Sequence, residues 1–224
     1  MIKLWRTSAL GVLLFLLLGA GAVSAGLVDF SPGLLRHITA SWGGDAVYRL
    51  QDWRKIELEG LANRAKGSPA LSRDELQFFN RFWNKLPFYN DQQHWKMDDY
   101  WATPVESLAS NGADCEDYSI AKYFSLRELG VPPGSLRITY VRALKINEAH
   151  MVLAYYPTPD ADPYILDNLS GKLLPASERD DLEPVYSFND DDMWAAGAAN
   201  FKGKSSQIRV WGELLEKMEK ERRM

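Results

Sequence analysis

The sequence has 224 residues, with 26 basic and 30 acidic side chains and a formal net charge of −4. This balance excludes a general nucleic-acid-binding protein, because that class carries a basic face as its electrostatic footprint. The chain contains one cysteine, which excludes a framework of intramolecular disulfides.

The first 25 residues predict an export signal. Lys3 and Arg6 form a basic segment, and an apolar stretch follows over residues 9–20. Small residues at positions 23–25 match the pattern that signal peptidases read, so we expect cleavage after Ala25. The alternative is an uncleaved anchor, but the apolar stretch is short for a bilayer span of about 20 residues. The sequence therefore places the bulk of the chain beyond the cytoplasmic membrane.

Cleavage at this position divides the chain into a signal peptide, residues 1–25, and a remainder, residues 26–224. The remainder is long enough for one well-packed domain and short for two. Without the two basic residues of the signal, 24 basic and 30 acidic side chains remain, a net charge of −6. We therefore predict one acidic domain that does not bind nucleic acid.

Local patterns predict helices through the first half of that domain. Apolar residues recur at helical spacing after Asp45, which is predicted to cap the helix. Ser72–Glu75 and Thr103–Glu106 have the pattern of capping boxes, and Asn111-Gly112 predicts a helix end. A further helix is predicted from Cys115 to Leu129.

The second half changes to the pattern of strands. Short β-branched or aromatic runs, bounded by turn residues, predict strands over Leu136–Ala143, Ala149–Tyr156, Tyr164–Asp167 and Pro184–Phe188. An amphipathic helix is predicted after Ile208. Helices followed by an antiparallel sheet indicate the α+β class, with a helical N-terminal half packed on the sheet.

The lone cysteine, Cys115, stands at the start of a predicted helix, where the helix dipole and free backbone N–H groups favour a thiolate. Downstream, His150 lies on a predicted strand and Asp167 ends the next one. A thiol, an imidazole and a carboxylate in this order can perform acyl chemistry if the sheet packs against the helix start. His37 and His94 precede the cysteine in helical or loop contexts and are poorer candidates for the base.

Each of these residues also has a structural interpretation. A free cysteine usually packs in a core, a histidine on an apolar strand can be a structural residue, and an aspartate can simply end a strand. The order of the three residues and the elements that carry them jointly favour catalysis.

Three acids flank the cysteine: Asp114, Glu116 and Asp117. They oppose thiolate formation, because negative charges raise the pKa of a neighbouring thiol. Carboxylate oxygens are the ligands that calcium prefers, whereas acids at a helix start also complement the helix dipole. The ordered spacing of an EF-hand loop is absent. The residues alone therefore favour the helix-dipole interpretation.

Three segments resemble the bacterial transglutaminase-like cysteine proteinases: Asp114-Cys115-Glu116-Asp117, Glu148–Leu153 and Ile165–Asn168. The resemblance covers most of the chain after the signal peptide and is strongest over residues 95–188. It implies a papain-like/transglutaminase-like cysteine proteinase fold. It also implies a catalytic triad, listed here by residue: Cys115, His150 and Asp167.

The resemblance further implies a bound calcium ion (Ca2+), with Asp114 and Glu116 at the family's ligand positions and Asp117 as a third ligand. It implies a periplasmic endopeptidase that cuts the N-terminal region of a large surface adhesin at a small-residue, Ala-Ala site and so promotes biofilm dispersal. An inner-membrane receptor for cyclic di-GMP is the implied partner that sequesters the enzyme, which we expect to be a monomer or a weak dimer.

Two other functions stay open at this point. A transglutaminase-type acyl transferase would use the same triad but would pass the acyl group to an amine instead of water. A non-catalytic calcium-binding interaction module would use the acids and leave the cysteine as a structural residue.

Overall fold

The computed structural model of this protein describes Gly26 and residues 28–64, 71–196 and 203–224. The predicted signal peptide, residues 1–25, lies outside the described residues. Among the helices in the described ranges, none combines the length and the hydropathy that a membrane crossing requires.

Helices occupy most of the described first half, and one more follows the sheet. Within the described ranges they are α1 (Pro32–Trp42), α2 (Gly44–Arg64), α3 (Arg73–Trp83), α4 (Asp91–His94), α5 (Pro104–Ser110), α6 (Cys115–Glu128) and α7 (Arg209–Arg222). The capping boxes predicted before α3 and α5 are confirmed, with reciprocal bonds between Ser72 and Glu75 and between Thr103 and Glu106. Asp45 was wrongly predicted as a cap, because α2 begins one residue earlier and Asp45 lies in its first turn.

The second half forms a single antiparallel sheet. Its strands are β1 (Leu136–Ala143), β2 (Glu148–Tyr155), β3 (Tyr164–Leu166), β4 (Leu174–Pro175), β5 (Leu182–Phe188), β6 (Asp192–Ala195) and β7 (Gly203–Lys204). Their spatial order is β4-β3-β2-β1-β5-β6-β7. Every neighbouring pair is antiparallel. The four predicted strands and the α+β class are confirmed.

Helix α6 lies between the sheet and the other helices. One side, with Ile120, Tyr123 and Leu126, belongs to the core that the sheet shares. The opposite side, with Tyr118 and Ala121, packs in a second core built from α1, α2, α3 and α5. Each large apolar side chain buried in this way contributes about 1.5–3 kcal/mol. The two cores together fix where the first residue of α6 stands relative to the sheet.

Helix α7 packs back on the loop that precedes α5. Lys217 lies 3.6 Å from the centre of the Tyr100 ring and donates to a Glu106 carboxylate oxygen at 3.1 Å. The Thr103 hydroxyl donates to a carboxylate oxygen of Glu221 at 2.6 Å. These bonds tie the last described helix to residues 100–106, whose chain leads into α5.

Candidate active site

Cys115 is the first residue of α6 and is half-buried. Asn111, in the left-handed conformation with φ of 56°, ends α5 and turns the chain toward the new helix. The thiol donates a hydrogen bond to a Glu116 carboxylate oxygen at 3.0 Å, and the Met151 backbone N–H donates to the sulfur. Burial raises the pKa of Cys115, and the negative charges of Glu116 and Asp114 raise it further. The thiol is therefore held protonated by its own surroundings.

His150 and Asp167 meet at the end of the sheet nearest α6. Strands β2 and β3 pair with Leu153 opposite Leu166, which sets the two polar residues beyond the same end of that pairing. The imidazole Nε2 lies 2.7 Å from Asp167 Oδ1, and both side chains are buried. Burial by itself raises the pKa of Asp167, but hydrogen bonds from His150 and Arg179 bring it down to about 2.

Because Asp167 is ionised, the His150 nitrogen that faces it donates the hydrogen bond and therefore carries the proton. The other ring nitrogen, Nδ1, is then the one left to act as a base. The thiol of Cys115 contacts the backbone of Met151, the residue that follows His150. The structure thus brings the three residues that the sequence singled out to one place, at the junction of α6, β2 and β3.

Two cations near Asp167 were missed by sequence reasoning. The Arg179 guanidinium is buried and its Nη2 lies 2.7 Å from Asp167 Oδ2. Lys122, on α6, is fully buried; burial lowers the pKa of its ammonium to about 7, and the charge of Asp167 acts in the opposite direction. No local pattern identifies either residue, because both reach Asp167 only through the tertiary fold.

The acids beside the cysteine belong to a larger cluster. Carboxylate oxygens of Asp91, Asp114 and Asp117 lie within 4.8 Å of one another, and a second group of the same spacing contains Asp91, Asp99 and Glu116. We call these five residues the acidic cluster. The predicted ligands thus fall into two groups that share Asp91. The sequence did not point to Asp91 or Asp99, because a loop and the short helix α4 bring them in from outside the cysteine motif.

The acidic cluster is electrostatically unfavourable as it stands. Burial raises the pKa of Asp91 to about 6, and burial together with the charges of Asp117 and Glu116 raises that of Asp114 to about 10. Burial also raises the pKa of Asp117 well above its usual value, although backbone N–H groups such as that of Ala102 bond to it.

Two oxygens show whether a cation fits this cluster. The Oδ1 atoms of Asp91 and Asp114 are buried, and neither has a hydrogen-bond partner among the described residues. Buried carboxylate oxygens without donors are the hard ligands that calcium takes, and a divalent ion would offset the repulsion between them. The residues present therefore fit a bound calcium ion.

Comparison with known proteins adds a family to this geometry. The family model for the bacterial transglutaminase-like cysteine proteinases (BTLCP) matches residues 63–194. Solved structures of Legionella pneumophila LapG are similar over 83% of this chain at 38% sequence identity. The EGTA-treated structure is covered to 96% with a TM-score of 0.71, and the calcium-bound structure to 97% with a TM-score of 0.68. A search among curated proteins found no match.

Proposed function

This chain belongs to the bacterial transglutaminase-like cysteine proteinases, and on that premise we propose that it is a calcium-dependent periplasmic cysteine endopeptidase. The observation that carries the proposal is the buried 2.7 Å hydrogen bond between His150 and Asp167, beside the strand backbone that the thiol of Cys115 contacts. Nucleophile, base and orienting carboxylate are the parts that thiol-based acyl transfer requires.

The proposed reaction proceeds in two steps. His150 takes the thiol proton, and the sulfur of Cys115 attacks the scissile carbonyl, with the Cys115 backbone N–H helping to stabilise the oxyanion. The same imidazole then gives its proton to the leaving amine, which leaves a thioester on Cys115. Water, deprotonated by His150, hydrolyses the thioester and restores the thiol. Asp167 holds the imidazole in one tautomer and one orientation throughout.

The calcium ion would be held by Asp91, Asp114 and Asp117, with Glu116 and Asp99 as the neighbouring group. When bound, it would neutralise the negative charge that opposes thiolate formation at Cys115. Support comes from the orphaned oxygens of the acidic cluster and from LapG of Legionella pneumophila, which has been solved in calcium-bound and EGTA-treated forms.

For the substrate, we propose the N-terminal region of a large surface adhesin, cut at an Ala-Ala site so that the adhesin is released and the biofilm disperses. We also propose that an inner-membrane receptor for cyclic di-GMP sequesters the enzyme. The support is similarity to LapG and the export signal predicted over residues 1–25.

The test is incubation of residues 26–224 with candidate adhesin N-terminal fragments, with calcium or with EGTA, followed by mass spectrometry. Two fragments whose masses sum to the substrate plus water indicate hydrolysis, and a ligated amine product indicates a transglutaminase. Cys115→Ala is the matched control and should give no product. Calcium binding without any product, for every fragment, would favour the non-catalytic module.

A further inference from the structure

Arg179 is buried at the end of the one-turn 3-10 helix Ala176–Glu178, between β4 and β5. Its Nη2 donates to Asp167 Oδ2 at 2.7 Å. Its Nε and Nη2 also reach both carboxylate oxygens of Asp181, at 2.8 and 3.1 Å. The Arg179 side chain is 4% exposed, against 21% for the Asp181 side chain. The shorter and more buried contact of Nη2 is therefore the one with Asp167.

The two oxygens of Asp167 have separate partners. Oδ1 accepts from His150 Nε2 at 2.7 Å and from the Leu169 backbone N–H at 2.9 Å, while Oδ2 accepts from Arg179. Rotation of the carboxylate would break the charge-assisted bond to Arg179 and leave a buried Asp167 oxygen without a donor, which is unfavourable even though Arg179 keeps its bonds to Asp181. The orientation that Asp167 presents to His150 is thus fixed from the side opposite the imidazole.

Within the described part of the chain, the lysines near Asp167 do not bond its carboxylate, and the geometry of the site favours an arginine. Lys122 lies behind it on α6, but its Nζ makes no hydrogen bond to the described residues and instead faces the Tyr118 ring at 5.6 Å. Lys145, beyond Asp181, is exposed and 4.0 Å from that carboxylate. Only a guanidinium presents a rigid fork that bonds Asp167 and Asp181 at once, whereas an ammonium is a point charge on a flexible stem.

We propose that Arg179 is a positioning residue for the His150–Asp167 pair: it holds the Asp167 carboxylate in the orientation that fixes the imidazole for proton transfer. The claim on catalysis rests on the proposed cysteine endopeptidase function, whereas the claim on orientation does not. Within the described residues the guanidinium bonds Asp167 and Asp181 and not the thiol, so it acts on His150 through Asp167.

The orientation is tested by proton NMR on residues 26–224 with calcium present. A ring N–H in a short, buried bond to a carboxylate gives a strongly downfield resonance that exchanges slowly with water. The chain has three histidines, so His150→Gln assigns the signal. We expect the resonance in the parent, its loss in Arg179→Met, and a shifted, weaker signal in Arg179→Lys, which keeps the charge without the fork.

Two further variants separate positioning from a merely structural role. Arg142→Met removes an arginine from an exposed ion pair with Glu183 and should leave the resonance unchanged. Asp181→Asn weakens the link between Arg179 and its own loop but keeps the bond to Asp167, so it too should keep the signal. A parent-like resonance in Arg179→Met, or its equal loss in Asp181→Asn, overturns the proposal.

Cleavage kinetics supply a second readout. Arg179→Met should lower kcat by about 10- to 100-fold, the usual cost of losing an outer partner of a functional group, with KM within about twofold. Arg179→Lys should recover part of the loss. In an Asp167→Asn background, Arg179→Met should cost no more than about threefold, because the group it acts through is already altered. A full additional loss there contradicts the proposal.

The NMR resonance and the cleavage kinetics test different claims, so one can fail without the other. If the parent cleaves no adhesin fragment, the protease function is in doubt, while the resonance still decides whether Arg179 orients the pair. If Arg179→Met does not fold, Arg179→Lys decides, and a parent-like resonance with parent-like kcat in that variant overturns the proposal.

Discussion

Buried carboxylates lie on two sides of Cys115. The protein balances the negative charge on one side and leaves it unbalanced on the other. In the acidic cluster, carboxylates crowd one another, and within the described part of the chain no lysine or arginine forms an ion pair with Asp91, Asp114 or Asp117. Asp167 is instead bonded by His150 and Arg179. The pKa of Asp114 is accordingly raised to about 10, and that of Asp167 is lowered to about 2.

The comparison shows that the chain itself supplies the partners of Asp167, whereas the partner of the acidic cluster must come from solution. The His150–Asp167 pair is complete within the polypeptide, because every oxygen of the carboxylate has a donor. The acidic cluster leaves oxygens without donors and charges without partners, so it becomes favourable only when a cation binds. Calcium binding at the acidic cluster would therefore control the activity, while the chain itself preorganises the His150–Asp167 pair.

The largest effect is expected from removing calcium. EGTA should stop cleavage completely, calcium should restore it, and magnesium should do so poorly because it dehydrates reluctantly. The downfield His150 resonance should persist throughout, because the pair does not depend on the ion. Full activity in EGTA, together with no calcium binding by calorimetry, would contradict the calcium proposal. It would favour the interpretation that these acids only complement the helix dipole.

Disruption of the His150–Asp167 pair should lower the activity nearly as much. Asp167→Asn should slow cleavage by about 10⁴-fold, because the amide no longer fixes the tautomer of His150. Loss of both Asp167 and His150 should cost little more than loss of His150 alone, because such groups act as a unit. Calcium affinity should change by less than about threefold. A large fall in calcium affinity in Asp167→Asn would show that the two sides are coupled.

Asp114→Asn should change the stability of the protein with a sign that depends on calcium. In EGTA, burial and the neighbouring carboxylates force Asp114 to hold a proton that the unfolded chain would release, and this lowers stability at neutral pH. The amide avoids that cost, so we expect the Tm to rise by about 2–4 °C, which corresponds to about 1 kcal/mol in a domain of this size. With saturating calcium the same variant should melt below the parent, because it binds the ion less tightly.

A matched control for that substitution is Asp45→Asn, which alters an exposed acid in the first turn of α2. It should stay within about 0.5 kcal/mol of the parent in both buffers. If Asp114→Asn lowers the Tm in EGTA as well, the carboxylates do not repel one another in the ion-free protein.

The smallest effect on activity is expected at Lys122, and its signature is a pH dependence. The unfolded chain keeps this proton up to about pH 10.5, whereas the folded chain releases it near pH 7. Unfolding therefore takes up a proton in this interval, and stability rises with pH across it. Lys122→Met should flatten that rise in thermal melts while kcat stays within about threefold. An unchanged pH dependence would mean that the pKa of Lys122 is not lowered in the folded protein, and that the buried side chain keeps its proton over this interval.

Short-range patterns were enough to predict most of the scaffold. A short run of consecutive residues is enough to identify the capping boxes at Ser72 and Thr103, the strand Leu136–Ala143 and the helix start at Cys115. The α+β class expected from them is confirmed, and so is the transglutaminase-like cysteine proteinase fold that the family resemblance implies. Helix α1 was overlooked although its cap, Ser31, and the proline that follows carry a recognisable start signal.

The site was predictable only where its residues sit next to a motif. Cys115, His150 and Asp167 could be selected by residue type and by the element that carries each. Asp91 and Arg179 could not, because one stands on the short helix α4 and the other at the end of a 3-10 helix, and the position of both elements depends on the packing of the whole domain. From the residues alone the acids near the cysteine looked like helix-end electrostatics, since spacing along the chain does not show that a distant aspartate joins them.

The bonds from α7 also connect a distant helix to the acidic cluster. Lys217 and Glu221 hold the segment around Tyr100 and Thr103, and Ala102 between those two donates its N–H to Asp117 in the acidic cluster. Helix α7 thus supports, through residues 100–106, one of the carboxylates that would hold the ion. A truncation that removes α7 should therefore loosen the acidic cluster from a distance, although α7 contributes none of its carboxylates.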